Sequence, residues 1–316
     1  MKNEIMKSLN FGVEIEFTGC TREKAATIIA AYFGTMAEYE GGTYRTYAVK
    51  DGQGRTWKVM YDASIYTERK SKTASGEIRR TPDSSLYSCE LVTPILQYKD
   101  IEDLQEIVRL LRTKAYAVTN QSTGIHIHVG AESFGPQHLT NIANIFYQNE
   151  DMLYAALECD DMHRNMRYCK KTDVSTLGRL NWANKNKSSM QHAWYNDSLT
   201  HHSHYDDSRY HGLNLHAYWT KGTVEFRCFN SELHAGKVKA YIQLCLAMAQ
   251  QALTQKRTRD AKRATNNPKY TFRCWLLRLG LIGDEFKTAR HHLLQHLEGN
   301  ASWLNGRPNR QNEGAA

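Results

Sequence analysis

Three segments of the chain each carry two chemically active side chains spaced two residues apart. These pairs are Glu14 and Glu16, His126 and His128, and Glu225 and Arg227. Taken singly, a Glu-x-Glu pair is typical of a solvated strand face, whereas a His-x-His pair fits a ligand pair and a surface strand equally well. Together, such carboxylates would repel each other unless a cation neutralises them, and carboxylate oxygens with imidazoles suit Mg²⁺ or Mn²⁺. The combination therefore favours a divalent-metal site, and several carboxylates on one sheet could hold two or three ions that bridge a polyphosphate.

The elements that must position these pairs are three alternating segments, at 11–17, 124–129 and 223–229. In each, apolar residues take one face and the active pair takes the other, which predicts strands of an antiparallel sheet with one polar face. Shorter strands are predicted at 57–62, 88–92 and 213–215. Apolar spacing predicts helices at 21–33, 137–158, 235–254 and 284–298. A further helix is predicted to begin after Asp100, which would cap it.

The intervening segments are polar. Residues 41–56 are Gly-rich with turn signals, and residues 66–86 form a charged stretch predicted to be a loop and a candidate closing flap. About 160–222 is predicted to be a long loop excursion over the surface, with 186–212 as a second candidate lid.

Composition excludes several classes of protein. The 316 residues are 41% hydrophobic with a mean hydropathy of −0.63, which is enough apolar material for a core. No window approaches 18 consecutive apolar residues, so no transmembrane helix is expected. The first residues do not resemble a signal peptide. Seven scattered cysteines without a C-x-x-C pair indicate a reducing compartment, so a soluble cytoplasmic protein without a membrane partner is expected.

The positive charge is concentrated in one place. The net charge is +8, and residues 256–273 contain seven basic side chains and one acidic side chain, Asp260. This stretch could bind nucleic acid or phosphate. A solvated helix end and loop is the favoured interpretation.

Five short motifs occur in an order that resembles a known family. They are Gly12–Phe17 (GVEIEF), Asp62–Ser64 (DAS), Glu90–Pro94 (ELVTP), Thr123–Val129 (TGIHIHV) and Thr223–Arg227 (TVEFR). The ordered set resembles the amidoligase family, a branch of the glutamine synthetase/glutamate–cysteine ligase superfamily of carboxylate–amine ligases, over about residues 10–255. The resemblance implies an α+β fold with a glutamine synthetase-like catalytic core, in which helices pack on the outer face of a curved antiparallel sheet. Residues 1–255 would form the catalytic domain, and 256–316 would add the basic stretch, a helix and a polar tail.

The resemblance also implies an activity and a set of metal ligands. ATP would phosphorylate a carboxylate on an amino acid, peptide or protein, and an amine donor would attack the acyl phosphate to form an amide or isopeptide bond. Glu14, His126 and Glu225 would bind the Mg²⁺ (or Mn²⁺) that orients the ATP phosphates. Glu16 and Glu90 would bind a second ion nearer the acceptor carboxylate.

Other roles follow from the same resemblance. His128 would contact nucleotide phosphate, and Arg227 would bind a phosphoryl or carboxylate oxygen. Asp62 is expected either in the metal shell or as the group that binds the amine and accepts its proton. Arg164 and Arg167 match an arginine-bearing stretch that could clamp phosphate, with solvated charges as the equal alternative.

Several residues are given less weight. Tyr210 and Asn214 fall where the family has a tyrosine and an asparagine. The histidines at 201, 202, 204, 211 and 216 could bind zinc, but exposure on a polar loop is favoured. No P-loop motif is present, so metal would have to carry the phosphates.

Two other functions remain open from the residues. A metal-dependent phosphoesterase or nuclease would use the same acids, histidines and basic stretch, but it would act without ATP. A non-catalytic protein on the same fold would bind nucleic acid or a partner through 256–273. Its binding would not depend on Glu14.

Overall fold

The computed structural model describes residues 3–159, 167–196 and 206–305. The strands in these ranges are β1 (Phe11–Phe17), β2 (Ala37–Gly41), β3 (Thr46–Lys50), β4 (Thr56–Met60), β5 (Glu68–Lys72), β6 (Ile78–Pro82), β7 (Cys89–Val92), β8 (Gly124–Gly130), β9 (Leu213–Asn214) and β10 (Thr223–Asn230). The α-helices are α1 (Glu4–Ser8), α2 (Arg22–Phe33), α3 (Ile101–Leu110), α4 (Pro136–Ala156), α5 (Val174–Trp182), α6 (Lys187–Tyr195), α7 (His216–Lys221), α8 (Ala235–Thr254), α9 (Pro268–Leu279) and α10 (Lys287–Leu294).

Eight strands form one sheet in the order β2-β3-β4-β7-β1-β8-β10-β9, and β5 pairs with β6 in a separate hairpin. Every pairing in the large sheet is antiparallel. The predicted α+β class with a large antiparallel sheet is therefore confirmed. The strands that carry the predicted pairs (β1, β8 and β10) lie in the middle of the sheet, where both edges of each strand are hydrogen-bonded.

One face of the sheet is covered by helices. The apolar members of the alternating strands, such as Val13, Ile127 and Phe226, are almost completely buried on this face. The ring of Phe146 in α4 packs against Phe226, and α8 packs against α3, α4, α10 and β8. This core leaves the opposite face, with the charged pairs, free to form a site.

The prediction that the Asp100 side chain caps helix α3 is wrong. Its carboxylate accepts a hydrogen bond from the Gln97 backbone N–H (2.8 Å) and forms an ion pair with Arg55 (2.8 Å). It accepts no hydrogen bond from the N–H groups of the first turn of α3. Arg55 also reaches Asp51 (2.8 Å), and both aspartates are buried. Burial raises the pKa of both carboxyls, but hydrogen bonds from Arg55 and from nearby backbone N–H groups, with Trp57 as a further donor to Asp51, outweigh it and lower the pKa of each. This network joins the β3–β4 turn to the start of α3.

Two segments that were predicted as loops contain strands. Residues 41–56 include β3 and the end of β2, and 66–86 contains the β5–β6 hairpin. The hairpin is exposed on both faces, so it lacks the apolar alternation that identifies a strand with one buried side.

The stretch predicted as an irregular excursion contains α5 and α6. Asp173 caps α5 through the Ser175 and Thr176 N–H groups, and Asn186 caps α6 through Ser189 N–H. Both helices are nine residues long. Helix α5 buries only Leu177 and Leu180, and the four buried residues of α6 stand in an otherwise polar segment, so the apolar signal is short in each. The helix expected over 284–298 is also shorter. A 3₁₀ turn at Asp284–Phe286 leads into α10, which ends at Leu294.

Among the described residues, no helix combines the length and apolar character that crossing a bilayer requires. The seven cysteines are all free thiols.

Candidate metal centre and active site

Strand register brings the predicted pairs together on the face without helices. Glu14 of β1 lies opposite His126 of β8, and Glu16 of β1 lies opposite Glu90 of β7. Glu225 of β10 lies opposite His128 of β8. The side chains of directly opposed residues in an antiparallel pair point to the same face, so four neighbouring strands supply one cluster.

The cluster contains three overlapping groups of possible metal ligands. In each group, one ligand atom from each residue lies within 4.8 Å of the others. The groups are Glu14/His128/Glu225, Glu14/Glu90/His126 and Glu16/Asp62/Glu90. Glu14 and Glu90 each belong to two groups, so they stand where two neighbouring cations could share ligands.

The two histidines lie between Glu14 and Glu225. His126 Nδ1 is 3.0 Å from a Glu14 oxygen and 3.9 Å from Glu225 Oε1. His128 Nε2 is 3.3 Å from Glu14 Oε1 and 3.8 Å from Glu225 Oε1. The other nitrogen of His128 contacts the Thr223 hydroxyl at 3.0 Å, which fixes the orientation of the ring.

Glu225 is held by two donors. Arg227 Nη1 donates to Glu225 Oε1 and Asn214 Nδ2 donates to Oε2, both at 2.6 Å. The His216 backbone N–H in turn donates to the Asn214 side-chain oxygen (2.8 Å), so the amide group of Asn214 faces Glu225. These bonds place a buried carboxylate in a defined orientation.

Burial and the neighbouring charges determine the ionisation of Glu14, Glu225 and His126. Burial raises the pKa of Glu225, but the charges of Arg227 and the two histidines outweigh it and lower the pKa to about 2. The pKa of Glu14 is likewise raised by burial yet held well below its usual value by His128, His126 and Lys221. Burial and the Arg227 charge lower the pKa of His126 to about 4, so its imidazole is neutral at pH 7 and can act as a ligand.

Glu90 behaves in the opposite way. Burial raises its pKa, and the negative charges of Glu14, Glu16 and Asp62 raise it further, so the pKa is well above the usual value. Five carboxylates share this site, against the cations Arg227 and Lys221, and Lys221 Nζ lies 3.3 Å from Glu14. An excess of negative charge of this kind favours binding of a divalent cation.

Two further carboxylates are oriented by local hydrogen bonds. The Gly124 backbone N–H donates to Glu16 Oε2 at 2.6 Å. The backbone N–H and hydroxyl of Ser64 both donate to Asp62 Oδ1, at 2.6 and 2.5 Å. Asp62 follows β4 and is brought to Glu90 because β4 pairs with β7.

Two cavities meet at the cluster. The first, of about 460 Å³, is lined by Gly12, Glu14, Pro94, His128, Gly130, Glu132, Lys221, Gly222 and Thr223, among others. The second, of about 490 Å³, is lined by Glu14, Glu16, Thr43, Tyr44, Tyr61, Asp62, Ala63, Ser64, Glu90, Ser122, His126, Tyr168, Arg209, Tyr210 and Arg227. Glu14 lines both cavities, so ligands in the two cavities would approach each other at this residue. Both volumes fall in the usual range for small-molecule sites.

The structure brings together eight of the predicted site residues: Glu14, Glu16, Asp62, Glu90, His126, His128, Glu225 and Arg227. Arg164 and Arg167 are not among them. Arg164 lies outside the described residues, as do the histidines at 201, 202 and 204. Arg167 is exposed and lies over the ring of Tyr168, with its guanidinium 5.2 Å from the ring centroid. Tyr210 lines the second cavity, and Asn214 contacts Glu225 directly.

The two described histidines of the predicted cluster have separate partners. His211 Nδ1 contacts the Ser208 carbonyl, and His216 Nδ1 contacts the Tyr195 hydroxyl. Neither belongs to a group of possible metal ligands within the described ranges.

Several site residues were not predicted from the sequence. Thr223 holds His128, and Lys221 pairs with Glu14. Thr223 shares the face of Glu225 by strand alternation, so that signal was available. Tyr44, Tyr61 and Arg209 line the second cavity from loops that carry no such pattern.

Comparisons with known proteins agree with the motif order. A family model described as "Putative amidoligase enzyme" matches residues 7–249. No curated protein matches the chain. Among solved structures, the chain is similar to a bifunctional glutathione synthetase from Pasteurella multocida, with 11% sequence identity and a TM-score of 0.42. The match covers 92% of this chain and 47% of that one, so this chain spans about half the length of that protein, and so weak a likeness carries no argument about its activity.

Proposed function

This chain belongs to the amidoligase family, and we propose that it is an ATP- and Mg²⁺-dependent carboxylate–amine ligase on a glutamine synthetase-like core. A substrate carboxylate oxygen attacks the γ-phosphorus of ATP and ADP leaves. The amine then attacks the acyl carbon, loses a proton and displaces phosphate, which forms an amide or isopeptide bond. The observation that carries the proposal is the cluster of five carboxylates and two histidines between two cavities.

The donor set of this cluster fits Mg²⁺ or Mn²⁺. Glu14, His126 and Glu225 would hold one cation, with His126 Nδ1 at 3.0 Å from Glu14 and 3.9 Å from Glu225. Glu16, Glu90 and Asp62 would hold a second. These are hard oxygen ligands with few imidazoles, the set that these ions prefer. Bound there, the cations would offset the repulsion between the attacking carboxylate and the triphosphate.

The first cavity is the proposed nucleotide site. A Cβ built on Gly222 meets nothing within 4 Å, and one on Gly12 meets only atoms at 3.8 Å and beyond, so both leave open space beside the backbone. Lys221 and His128 lie at the end of this cavity nearest Glu14 and could contact phosphate oxygens. In this arrangement the γ-phosphoryl group would reach Glu14 and point toward the second cavity.

The second cavity is the proposed site for the carboxylate and the amine. Arg227 would orient a carboxylate or phosphoryl oxygen, and Asp62 would accept the proton that the amine loses. Tyr44, Tyr61 and Tyr210 add aromatic rings to a lining that is otherwise mostly polar and charged. Its volume of about 490 Å³ is far larger than ammonia needs, which favours an organic amine as the donor.

The proposed catalytic domain is residues 1–255, and the β5–β6 hairpin is the candidate for closing over the acyl phosphate. The second expected lid, 186–212, begins with the packed helix α6, and its residues 197–205 lie outside the described ranges. The free thiols support a reducing, cytoplasmic location.

The test is ADP release by the purified protein with ATP and Mg²⁺, with and without pools of amino acids, peptides and primary amines. Hydroxylamine in the same mixtures would trap an acyl phosphate as a hydroxamate. Glu14→Gln and Glu225→Gln are compared with Glu38→Gln, an exposed glutamate of β2.

Substrate-stimulated ADP release that both site variants lose and Glu38→Gln keeps supports the proposal. Cleavage of nucleic acid with Mg²⁺ alone, lost in the same two variants, would replace it with the phosphoesterase. ADP release that survives in Glu14→Gln and Glu225→Gln would show that the reaction takes place elsewhere.

A further inference from the structure

The link between α8 and α9 is an extended segment fixed along α4, which we name the basic strap (residues 255–266). Three amide side chains of α4 bind its backbone. Asn141 donates to the Gln255 carbonyl (2.6 Å), Asn144 donates to the Thr258 carbonyl (3.3 Å), and Gln148 donates to the Arg259 carbonyl. Asn141 and Asn144 are fully buried, so the backbone of the strap is held in one path.

The strap separates its cations into two sets. Lys262 turns toward α4 and pairs with Glu150 (2.9 Å) and Asp151 (3.0 Å). Lys256, Arg257 and Arg259 are exposed, and none of the three makes an ion pair with any residue that the structure describes. A fixed backbone with outward cations is a preformed charged surface rather than a flexible charged loop.

A pair of arginines adds a second observation. Arg263 is half-buried beside Arg278 of α9, and burial together with the charge of Arg278 lowers its pKa. Its Nε is buried and makes no hydrogen bond within the described ranges, whereas its Nη2 donates to the Gln148 side-chain oxygen at 3.4 Å. No carboxylate among the described residues pairs with either guanidinium. An anionic oxygen bound here would offset the repulsion between the two guanidinium groups and accept a hydrogen bond from the unpaired Nε–H.

The spacing of these charges matches a nucleic-acid backbone. From Asn141 to Asp151 the strap follows ten residues of α4, or about 15 Å. One nucleic-acid strand places a phosphate about every 3.4 Å along the helix axis, so about four phosphates span that length. Five cations line it: Lys256, Arg257, Arg259, Arg263 and Arg278.

We propose that the basic strap and Arg278 bind the phosphodiester backbone of a nucleic acid, at a surface separate from the ligase site. Helix α4 packs on the apolar face of the sheet through Phe146 and Phe226, whereas the metal cluster lies on the opposite face. Binding at the strap therefore does not require the metal ligands. The sequence alone favours a solvated loop for this stretch. The fixed path of its backbone and the pair Arg263 and Arg278 favour a nucleic-acid-binding surface instead.

The test is fluorescence anisotropy with a labelled 20-nucleotide strand and its duplex, between 50 and 200 mM salt. With about four phosphates neutralised, the slope of log K against log salt should be about −3.6 for duplex and about −2.8 for the single strand. Arg257→Gln combined with Arg259→Gln should weaken binding at least tenfold at the lower salt and make the slope shallower by nearly two. Arg278→Gln, at an exposed position of α9, should make the slope shallower by about one.

The matched control is Lys72→Gln combined with Lys114→Gln, two exposed lysines elsewhere on the molecule. This control and Glu14→Gln should bind like the wild type. A slope shallower than −1, or equal losses in the strap variants and the lysine control, would overturn the proposal. Competition by polyglutamate as effective as that by nucleic acid would also overturn it, in favour of an acidic protein partner.

The two proposals fail separately. Loss of nucleic-acid binding in the strap variants does not depend on ADP release, and the strap variants should keep any ADP release that the wild type shows.

Discussion

Replacing Glu90 by glutamine should stabilise the metal-free protein and weaken its response to Mg²⁺. In the absence of a cation, the Glu90 carboxyl faces Glu16 and Asp62, with ligand atoms within 4.8 Å. At that distance each pair of like charges repels by about 3 kcal/mol for an effective dielectric constant near 20. Part of this repulsion is already relieved because the raised pKa of Glu90 favours its protonated form. We therefore expect Glu90→Gln to add about 2 kcal/mol, or about 4 °C in Tm, at pH 8 in EDTA.

The pH dependence of this effect has a definite sign. Because the pKa of Glu90 is raised in the folded state, the folded protein binds this proton more tightly than the unfolded chain does. The penalty is absent below the ordinary carboxyl pKa of 4.5, grows as pH rises toward the folded-state value, and is constant above it. Wild-type stability should fall across that window relative to Glu90→Gln.

Adding Mg²⁺ should reverse the order of stability. A ligand at 100 times its Kd stabilises a protein by about 2.7 kcal/mol, and Glu90→Gln removes one carboxylate that the ion would use. Thermal unfolding in EDTA and in a Mg²⁺ series, with Glu38→Gln as the control, measures both effects. A Glu90→Gln variant that melts at or below the wild type in EDTA at pH 8 would refute the repulsion argument. If Mg²⁺ raises the Tm of Glu90→Gln as much as it raises that of the wild type, Glu90 is not a metal ligand.

Three other substitutions test contacts described above. Asn214→Leu removes a charge-assisted hydrogen bond to the buried Glu225, so Mg²⁺ affinity measured by calorimetry should fall by about 2 kcal/mol, or about thirtyfold. Tm should fall as well, because the buried His216 N–H also loses its acceptor. Arg55→Met leaves two buried aspartates without their cation and should lower the free energy of unfolding in urea by about 3 kcal/mol at pH 7. That loss should shrink as pH falls through the lowered pKa values of those carboxyls, because the stabilisation exists only while they are ionised. Gly212→Ala would drive a methyl group into the Tyr154 side chain and should cost at least about 2 kcal/mol of stability by the same urea measurement, whereas Gly178→Ala, at an open helix position, should not destabilise.

The central strands could be predicted from the sequence because each has one buried face. Alternation along β1, β8 and β10 identifies both the apolar core positions and the charged pairs on the other side. The same logic fails for β5 and β6, which are exposed on both faces. It also fails for α5 and α6, where capping by Asp173 and Asn186 was the only strong local signal.

The arrangement of the site depends on information that is not local. Strand alternation places Glu14 and His126 on polar faces, but only the pairing of β1 with β8 brings their side chains within 3.0 Å. The motif order supplied this pairing indirectly, through the family it resembles. The tyrosines and Arg209 of the second cavity come from loops, where neither periodicity nor a motif identifies a side chain as part of a site.

The order of strands in the sheet also determines when the metal cluster can form during synthesis. Its ligands come from β1, β7, β8 and β10, so the first and last of them, Glu14 and Glu225, are about 200 residues apart in the chain. A nascent chain that has not yet released β10 from the ribosome has an incomplete cluster, and a fragment that ends before β10 cannot acquire it. Metal bound at the proposed site would therefore report the completed sheet, and destabilising substitutions anywhere in the helical layer should lower its occupancy in proportion to the folded fraction.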